Sequence, residues 1–529
     1  MVLRKRNNPN SALEQEGNDE TQANSETTSE KSGAMVMKKD IGMLKAVSII
    51  FSIIVGSGIF VSPVGVLKYT NSVGLSMIMW LIPGIFSLIG ALVYAELGVR
   101  IPKSGGEYIY IMETFGGLPA FLVMWVTFFI IGGVTCGANS LVFAKYILYP
   151  FYPDCVIPHH VVIIVALAGL ALVGALNCYK VSWATRVAVV FSIAKFVALM
   201  LIIGFGLYHL ATGHTENFEN SFENSYTSPG SLALAFYQGF WAFAGWSYLN
   251  FLVEEMKNPS RDLPLAISIA LILVTTLYIL TNVAYLAVLS PFELLQPGSE
   301  STVVAVIFAE RAMPWCVIVM PVLVGASVFG SMNGIILSVS RLTYSGAREG
   351  HMPSVLAFIH HRNFTPIPAI LVLILVSIGF QMYKDIFYLI DLAGFSFALI
   401  AALAVSALIY LRVKEPHVKT DFQLPLALPI FFLLCDLFIL VLTIYQQPNE
   451  SLLNVILILA AVPVYFIGVC WKHPQSIRTK MHSLTLFLQK CFAVVQPDLG
   501  TKEEQQAESN NKPVPCEDET VRGSKTVEF

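Results

Sequence analysis

The chain has 529 residues, of which 55% are hydrophobic and only 13% are charged, and its formal net charge is −3. Because soluble domains carry about 25% charged residues, this composition excludes an ordinary soluble protein, and the net charge argues against a nucleic-acid partner. Many apolar segments have about 20 residues, the length at which a helix crosses a bilayer. The sequence therefore predicts an all-α polytopic membrane protein that lies in the lipid bilayer.

About twelve transmembrane spans are predicted between two polar tails. The tails are rich in Asn, Glu, Ser and Thr, a composition typical of disorder. The predicted domains are a disordered N-terminal tail at 1–40, a transmembrane domain at 41–475 and a mostly disordered C-terminal tail at 476–529. The predicted spans begin near residues 44, 73, 119, 160, 184, 231, 263, 314, 366, 386, 422 and 452.

The distribution of basic residues predicts the orientation of the chain. An even number of spans puts both tails on one side, and Lys38 and Lys39 stand just before the first span. Loops on the same side carry Lys257, Arg348 and Arg412, whereas the opposite loop "GHTENFENSFENSYTSPG" has no Lys or Arg. Since Lys and Arg concentrate on the cytoplasmic side, we expect both termini in the cytoplasm.

Two spans contain poor helix formers near their centres. The first span includes "VGSGIF" (Val55–Phe60), and the sixth includes "GFWAFAGWS" (Gly239–Ser247). Glycine weakens a helix by about 1 kcal/mol relative to alanine. Interrupted spans at matching positions of two halves are the best sequence indication of a transporter binding site. Small residues that only allow close helix packing are the alternative explanation.

The chemistry of an interrupted span indicates the ligand. Unwinding frees backbone N–H and C=O groups, and each unsatisfied group in hydrocarbon costs several kcal/mol. The half-helix that follows "GSG" offers free N–H groups and a positive dipole end, which suit a carboxylate. Free carbonyl groups at the breaks suit an ammonium group. A ligand that carries both groups is an α-amino acid.

Few ionisable residues lie inside the predicted spans. Lys195 lies within the fifth span, where an unpaired charge is costly, so we expect it to face the bundle interior as a fixed cation. Glu96, Glu254 and Glu255 lie near cytoplasmic ends, where a structural charge network with Arg261 or Arg348 is expected rather than a proton relay. Neither a P-loop nor metal-ligand spacing is found, so we predict no cofactor, no metal site and no enzymatic reaction.

Two further features predict partners. Cys155, in "FYPDCVIPHH" between the third and fourth spans, would face an oxidising compartment, where an unpaired thiol suggests an intermolecular disulfide. A harmless loop thiol is the alternative. The chain ends in "TVEF", and Val527 and Phe529 form the kind of end that adds a strand to a PDZ domain, although such ends also occur by chance.

The stretches "IIVGSGIFVSP", "YAELG", "KSGGEYIYI" and "AFAGWSYLNFLVEEMKNPSRDLPLAI" resemble the light chains of heteromeric amino-acid transporters, within the amino acid–polyamine–organocation superfamily. The resemblance covers about residues 40–480. It implies a LeuT-like fold, with two inverted repeats of five helices and two further helices. It also implies a single-pass glycoprotein heavy chain that is linked through Cys155 and brings the complex to the plasma membrane.

The resemblance assigns roles to residues at the two breaks. The N–H groups of three residues would bind the substrate carboxylate, three carbonyl groups would bind its ammonium, and one serine would line the side-chain pocket. Lys195 stands where sodium-coupled relatives bind Na⁺, which implies exchange without sodium. The N–H groups that bind the carboxylate are those of Ser57, Gly58 and Ile59, and the carbonyl groups that bind the ammonium are those of Ile54, Trp241 and Ala244. Ser247 lines the side-chain pocket, and Trp241 also occupies the position of an aromatic gate.

The predicted substrates are neutral L-amino acids. The cystine/glutamate-type relatives, which are similar overall, have arginine at the positions of Gly132 and Phe397, and an acidic side chain without such a cation would be desolvated unpaired. The predicted function is therefore sodium-independent exchange of neutral L-amino acids at the plasma membrane by alternating access. The alternatives are a cystine/glutamate-type or cationic-type exchanger, a proton-coupled symporter, and a membrane scaffold or amino-acid sensor without transport.

Overall fold

In the part of the chain that the structure describes, twelve helical segments correspond to the predicted spans. The computed structural model describes residues 41–495 except 104, 153–154, 156, 296–302, 361–362, 364, 383–385, 419, 472–474 and 493. The spans are Met43–Ile54 with Gly58–Thr70, Val73–Arg100, Gly117–Phe151, His159–Tyr179, Val181–Ala211, Pro229–Phe243 with Trp246–Glu255, Pro259–Val288, Val319–Arg348, Ile367–Gln381, Ile386–Lys414, Ala427–Gln446 and Pro448–Cys470.

Each predicted span corresponds to one of these segments. Within the described ranges, nine helices are long and apolar enough to cross a membrane, and the bent pair in the first span makes a tenth. The sixth and ninth spans have helices of 15 residues each, and a 3₁₀ helix continues the sixth. The helical fold class is confirmed, because a helix satisfies its own backbone polar groups in lipid.

The first span is broken where the sequence predicts it. Helix Met43–Ile54 ends, Val55, Gly56 and Ser57 form no helix, and Gly58–Thr70 restarts at an angle of 49°. A Cβ added to Gly56 would lie 2.6 Å from Ser331 Oγ in the eighth span. Glycine is therefore required here both to unwind the chain and to let the eighth span approach.

The sixth span breaks at Ala244 and Gly245. Helix Pro229–Phe243 ends there, Gly245 adopts a positive φ of 108°, and a 3₁₀ helix follows from Trp246 to Glu255. Glycine takes up this left-handed conformation without steric cost. Since the sixth span comes five places after the first, the two breaks occupy the same position in successive sets of five helices.

The helices form two groups that meet at the breaks. The first, second, sixth and seventh spans pack on one another, and the third, fourth, eighth and ninth spans form a second set. Trp80 and Tyr278, both fully buried, join the second and seventh spans through an edge-to-face contact with ring centroids 5.8 Å apart. This division brings one broken span from each half into the same group.

The C-terminal end of the second span carries a buried ion pair. Glu96 accepts hydrogen bonds from the Arg412 guanidinium and from the backbone N–H of Leu424 at 3.0 Å. The structure thus pairs Glu96 with Arg412, an arginine that we did not predict, while the side chain of Arg348 lies outside the described residues. The pair joins the second span to the end of the tenth, where Arg412 is 9% exposed and Glu96 is 1% exposed.

Short elements complete the described chain. A π-helical turn, Val126–Gly132, interrupts the third span. The helix Gln475–Phe492 lies in the region that we assigned to the C-terminal tail. In the same region, the strand Val494–Val495 pairs with Ile359–His360. The remaining elements are Glu107–Phe115, Glu216–Phe218, Pro291–Leu295, Val304–Ala312, Pro314–Cys316 and Ser354–Ala357.

Candidate substrate site

A cavity lies between the two breaks. The third, eighth and tenth spans supply the rest of its wall. Of the predicted site residues, Ile54, Ser57, Gly58, Trp241 and Ala244 line it, whereas Ile59 and Ser247 do not. The other lining residues are Ile53, Gly56, Ile131, Thr135, Asn139, Phe240, Gly245, Tyr248, Ser331, Ile335, Ala393, Gly394 and Phe397.

The restart of the first span offers unpaired backbone donors. The N–H of Phe60 is bonded to the Ser57 carbonyl at 3.0 Å. In the described backbone, the N–H groups of Ser57, Gly58 and Ile59 have no carbonyl acceptor. The first N–H groups of any helix lack intrahelical partners and form the positive end of its dipole. An anion at the cavity end of this half-helix would therefore be stabilised.

The carbonyl groups at the first break are already partly satisfied by side chains. Ser331 Oγ donates to the Ile53 carbonyl at 3.3 Å, and Tyr278 OH donates to the Ile54 carbonyl at 3.1 Å. A carbonyl oxygen has two lone pairs. The Ile54 carbonyl, which the resemblance assigns to the substrate ammonium, therefore keeps capacity for one further donor.

A single phenol connects both breaks. Tyr278 OH lies 3.1 Å from the Ile54 carbonyl of the first span and 3.0 Å from the Ala242 carbonyl of the sixth. Two helices that end side by side in the membrane leave carbonyl groups without intrahelical partners. The phenol has one O–H donor, which Tyr278 shares between these two acceptors, so the seventh span links the two breaks.

Lys195 lies beside the first break. It is fully buried, and its Nζ donates to the Ser52 carbonyl, the last but two of the helix before the break. A Cβ on Gly330 would lie 3.6 Å from this Nζ, which places the ammonium group between the first and eighth spans. The Lys195 side chain therefore ends at the carbonyl end of this helix, where an ammonium group would meet the negative end of the helix dipole. Its role as a fixed cation stays a prediction.

Ser247 faces away from the cavity. Because the chain after Gly245 is a 3₁₀ helix with three residues per turn, Tyr248 rather than Ser247 lies on the cavity wall. The Ser247 hydroxyl and Glu107 Oε2 are both buried and, among the described residues, neither has a hydrogen bond of regular geometry. Burial raises the pKa of the Glu107 carboxyl to about 7, against smaller opposing effects of its own backbone N–H and of Ser247.

The walls of the cavity are uncharged. Phe240, Trp241 and Phe397 supply aromatic surface, and hydroxyl, amide and phenol groups supply the polar contacts. As far as the structure describes the chain, no Asp, Glu, Lys, Arg or His lines it. Phe397 occupies a wall position, and Gly132 lies one residue beyond the lining residue Ile131. The cavity therefore offers no counter-charge to an ionised substrate side chain.

Three residues of this site escaped the sequence analysis: Asn139, Tyr278 and Ser331. They come from the third, seventh and eighth spans, in which nothing local indicates a break. A signal did exist in the third span, since Ile131, Thr135 and Asn139 follow one another at intervals of four residues and share one helix face. A polar residue on such a face of an apolar span marks the inner side of the bundle.

The predicted partner residues lie apart from the cavity. Cys155 is exposed in the segment between the third and fourth spans. Val527 and Phe529 lie outside the described residues, as do the tails at 1–40 and beyond 495. The heavy-chain and PDZ predictions therefore stay predictions.

Known proteins with similar sequences cover most of the chain. A family described as "Amino acid permease" matches residues 41–469. The human "Cystine/glutamate transporter" is 42% identical over 460 residues, 87% of this chain and 91% of that protein. The human "Large neutral amino acids transporter small subunit 2" is 41% identical over 505 residues, 93% and 94% of the two chains. The human "Asc-type amino acid transporter 1" is 41% identical over 475 residues, 89% and 90%.

Proposed function

The chain belongs to the amino acid permease family, and we propose that it is a sodium-independent exchanger of neutral L-amino acids in the plasma membrane. The observation that carries this proposal is that two broken helices expose backbone groups to one uncharged cavity. The substrate binds between the two helix groups. Rocking of one group against the other would then expose the cavity to each side of the membrane in turn.

The two breaks offer hydrogen-bonding groups to both the carboxylate and the ammonium of an amino acid. The carboxylate binds the N–H groups of Ser57, Gly58 and Ile59, and the ammonium binds carbonyl groups of Ile54, Trp241 and Ala244. Charge-assisted hydrogen bonds of this kind are roughly twice as strong as those between neutral groups. Trp241, which lines the cavity on the sixth span, closes over the bound molecule.

Neutral side chains fit the cavity wall. A substrate carboxylate or ammonium group in the side chain would lose its water against Phe240 and Phe397 without gaining a counter-charge. Removing a charge from water without a partner costs several kcal/mol even after relaxation. The relatives named for large neutral amino acids and for asc-type transport support this choice, whereas the cystine/glutamate relative supports the alternative.

Lys195 replaces a transported cation in this proposal. Its ammonium group lies between the first and eighth spans and donates to the Ser52 carbonyl. A lysine that is fixed in place supplies the positive charge in every state of the cycle, so transport has no requirement for sodium. The rival function is a symporter driven by protons or sodium.

Counterflow in proteoliposomes tests the substrate and the coupling. The purified full-length chain is reconstituted with internal unlabelled leucine, alanine, serine, glutamate, cystine or lysine, and uptake of the same labelled compound is measured at pH 5.5 and 7.5. Sodium is replaced by choline in a parallel series. Liposomes without internal amino acid are the control, because an obligatory exchanger takes up little label there.

Each outcome separates the proposal from its rivals. We expect the neutral amino acids to exchange at the same rate with and without sodium. Glutamate and cystine should not exchange. Strong exchange of glutamate or cystine contradicts the substrate assignment, and net uptake that needs sodium or an inward proton gradient contradicts the exchange mode. No counterflow of any compound favours a scaffold or sensor. Lys195→Ala should reduce exchange in choline, because the Ser52 carbonyl loses its donor.

The heavy-chain link has a separate test. With both termini in the cytoplasm, the loop that carries Cys155 faces outward, where its thiol forms a disulfide with a single-pass glycoprotein heavy chain. Cys155→Ser should abolish a high-mass band that reducing agents remove from membranes of expressing cells. Cys491→Ser, at another exposed cysteine that follows the last span, should leave the band unchanged. A band that survives Cys155→Ser contradicts the link.

A further inference from the structure

Asn139 brings a side-chain amide to the part of the cavity where the first span restarts. It lies on the third span, lines the cavity and is 2% exposed. The neighbouring cavity-lining positions on the same helix face are Ile131 and Thr135. An amide group on this otherwise largely apolar face must satisfy its donors and acceptor, since an unsatisfied buried polar group costs about 1–3 kcal/mol.

The amide has a fixed orientation. The hydroxyl of Ser57 donates to Asn139 Oδ1 across the cavity wall. The Nδ2 group, on the other branch of the same amide, has no hydrogen-bond acceptor among the described residues. Protein atoms do not completely enclose this nitrogen. Two N–H donors of Asn139 are therefore left for a molecule in the cavity.

We propose that Asn139 is a substrate-binding residue whose side-chain amide donates a hydrogen bond to the α-carboxylate of the amino acid held at the first break. This inference rests on the proposed function. The carboxylate has four lone-pair sites, and the three backbone N–H groups at Ser57, Gly58 and Ile59 leave room for a fourth donor. Because Asn139 is bonded to Ser57, its amide lies beside these donors.

The placement of Asn139 adds a role in closure. Ser57 belongs to the helix group of the first, second, sixth and seventh spans, whereas Asn139 belongs to the group of the third, fourth, eighth and ninth. A carboxylate that binds both groups connects them only when they are closed around it. Binding energy from the α-carboxylate is thereby used to close the site, as in other lid movements. A compound without this carboxylate would not gain that contact.

A purely structural role makes different predictions. If Asn139 only positions the Ser57 hydroxyl, then any side chain with an acceptor at the Oδ1 position suffices. Asn139→Asp keeps such an acceptor and the shape of the side chain but replaces the two N–H donors with a second negative oxygen. Asn139→Leu removes both functions with little change of volume. The two variants therefore distinguish donation to the substrate from support of Ser57.

The experiment compares leucine with leucinol, which has the same side chain and amine but no carboxylate. Both are measured at pH 7.5 as competitors of labelled leucine in counterflow by the full chain, and as ligands that raise the melting temperature of the purified protein. We expect each variant to weaken leucine at least tenfold. Leucinol should change less than twofold with Asn139→Leu and should not weaken with Asn139→Asp, since its ammonium tolerates a nearby carboxylate.

Every result bears on the inference. Wild-type affinity for leucine in Asn139→Asp shows that only the Ser57 contact matters and overturns it. Equal losses for leucine and leucinol in both variants reveal a structural role and also overturn it. If wild-type protein neither exchanges nor binds any amino acid, the proposed function itself fails, and that result is distinguishable because it precedes any substitution. Ser57→Ala, which keeps the backbone N–H, should weaken leucine less than Asn139→Leu does.

Discussion

Tyr278→Phe removes one hydroxyl that joins the two broken helices. The ring stays in place, because its contacts with Trp80 and Phe243 at 5.8 and 5.1 Å between centroids are made by carbon atoms. The carbonyl groups of Ile54 and Ala242 lose the one O–H donor that they share, at 3.1 and 3.0 Å. The substitution therefore isolates the hydrogen bonds from the packing.

The magnitude follows from the burial of these groups. Tyr278 is fully buried, and a buried acceptor that loses its only side-chain donor costs about 1–3 kcal/mol. Since about 1.4 kcal/mol corresponds to a factor of ten in an equilibrium constant, the loss is roughly 5-fold to 150-fold in the population of the correctly joined breaks. We expect a lower melting temperature and a KM for leucine at least fivefold higher.

A tyrosine on the same helix provides the control. Tyr285 is also fully buried, but among the described residues its hydroxyl has no hydrogen-bond partner. Tyr285→Phe should therefore leave the melting temperature unchanged or raise it, and leave the KM as in wild type. Both variants are purified and measured by thermal melting in detergent and by leucine counterflow. If Tyr278→Phe behaves like Tyr285→Phe in both assays, the phenol does not hold the breaks together.

The other contacts give three further outcomes. A Cβ at Gly58 would lie 2.8 Å from the Cβ of Ala242. Gly58→Ala should therefore separate the breaks and reduce leucine counterflow at least tenfold. Undiminished exchange would show that the breaks are not in close contact. Arg412→Ala leaves buried Glu96 without its cation, which costs about 3–5 kcal/mol and should lower the melting temperature, whereas an unchanged value would contradict the burial of that pair. Burial raises the pKa of Glu107 from 4.5 to about 7. The folded state therefore keeps this proton to a higher pH than the unfolded state does. As a result, the stability of the wild-type protein falls as the pH rises from about 4.5 through 7. Glu107→Gln should therefore raise the melting temperature at pH 8 but not at pH 5, and an equal gain at both would refute the shift.

The sequence was sufficient for the features that depend on local composition. Gly56, Gly58 and Gly245 weaken their own helices, so both breaks lie where the glycines predicted them. The apolar segments likewise predicted every span, because only length and hydropathy decide whether a helix crosses lipid. The resemblance to light chains of heteromeric amino-acid transporters is confirmed by the relatives and the matching family.

The partners of the breaks depend on packing that no local pattern reveals. Ile54 and Tyr278 are separated by 224 residues, and Glu96 and Arg412 by 316. The sequence placed Glu96 near a basic cytoplasmic surface but could not choose among several arginines, since the choice depends on which helix ends meet. The sequence also could not show that the chain after Gly245 winds as a 3₁₀ helix, in which Tyr248 rather than Ser247 lines the cavity.

The two kinds of feature together explain why an unwound span is stable in a membrane. Glycines make the breaks cheap to form but leave carbonyl groups in hydrocarbon, each costing several kcal/mol. Lys195, Tyr278 and Ser331 donate to three successive carbonyl groups at the end of the first half-helix. Each of these carbonyl groups keeps a second lone pair for a further donor, and the N–H groups at the restart of the span have no carbonyl acceptor among the described residues. In our proposal, the ammonium and the carboxylate of an amino acid would meet these two requirements.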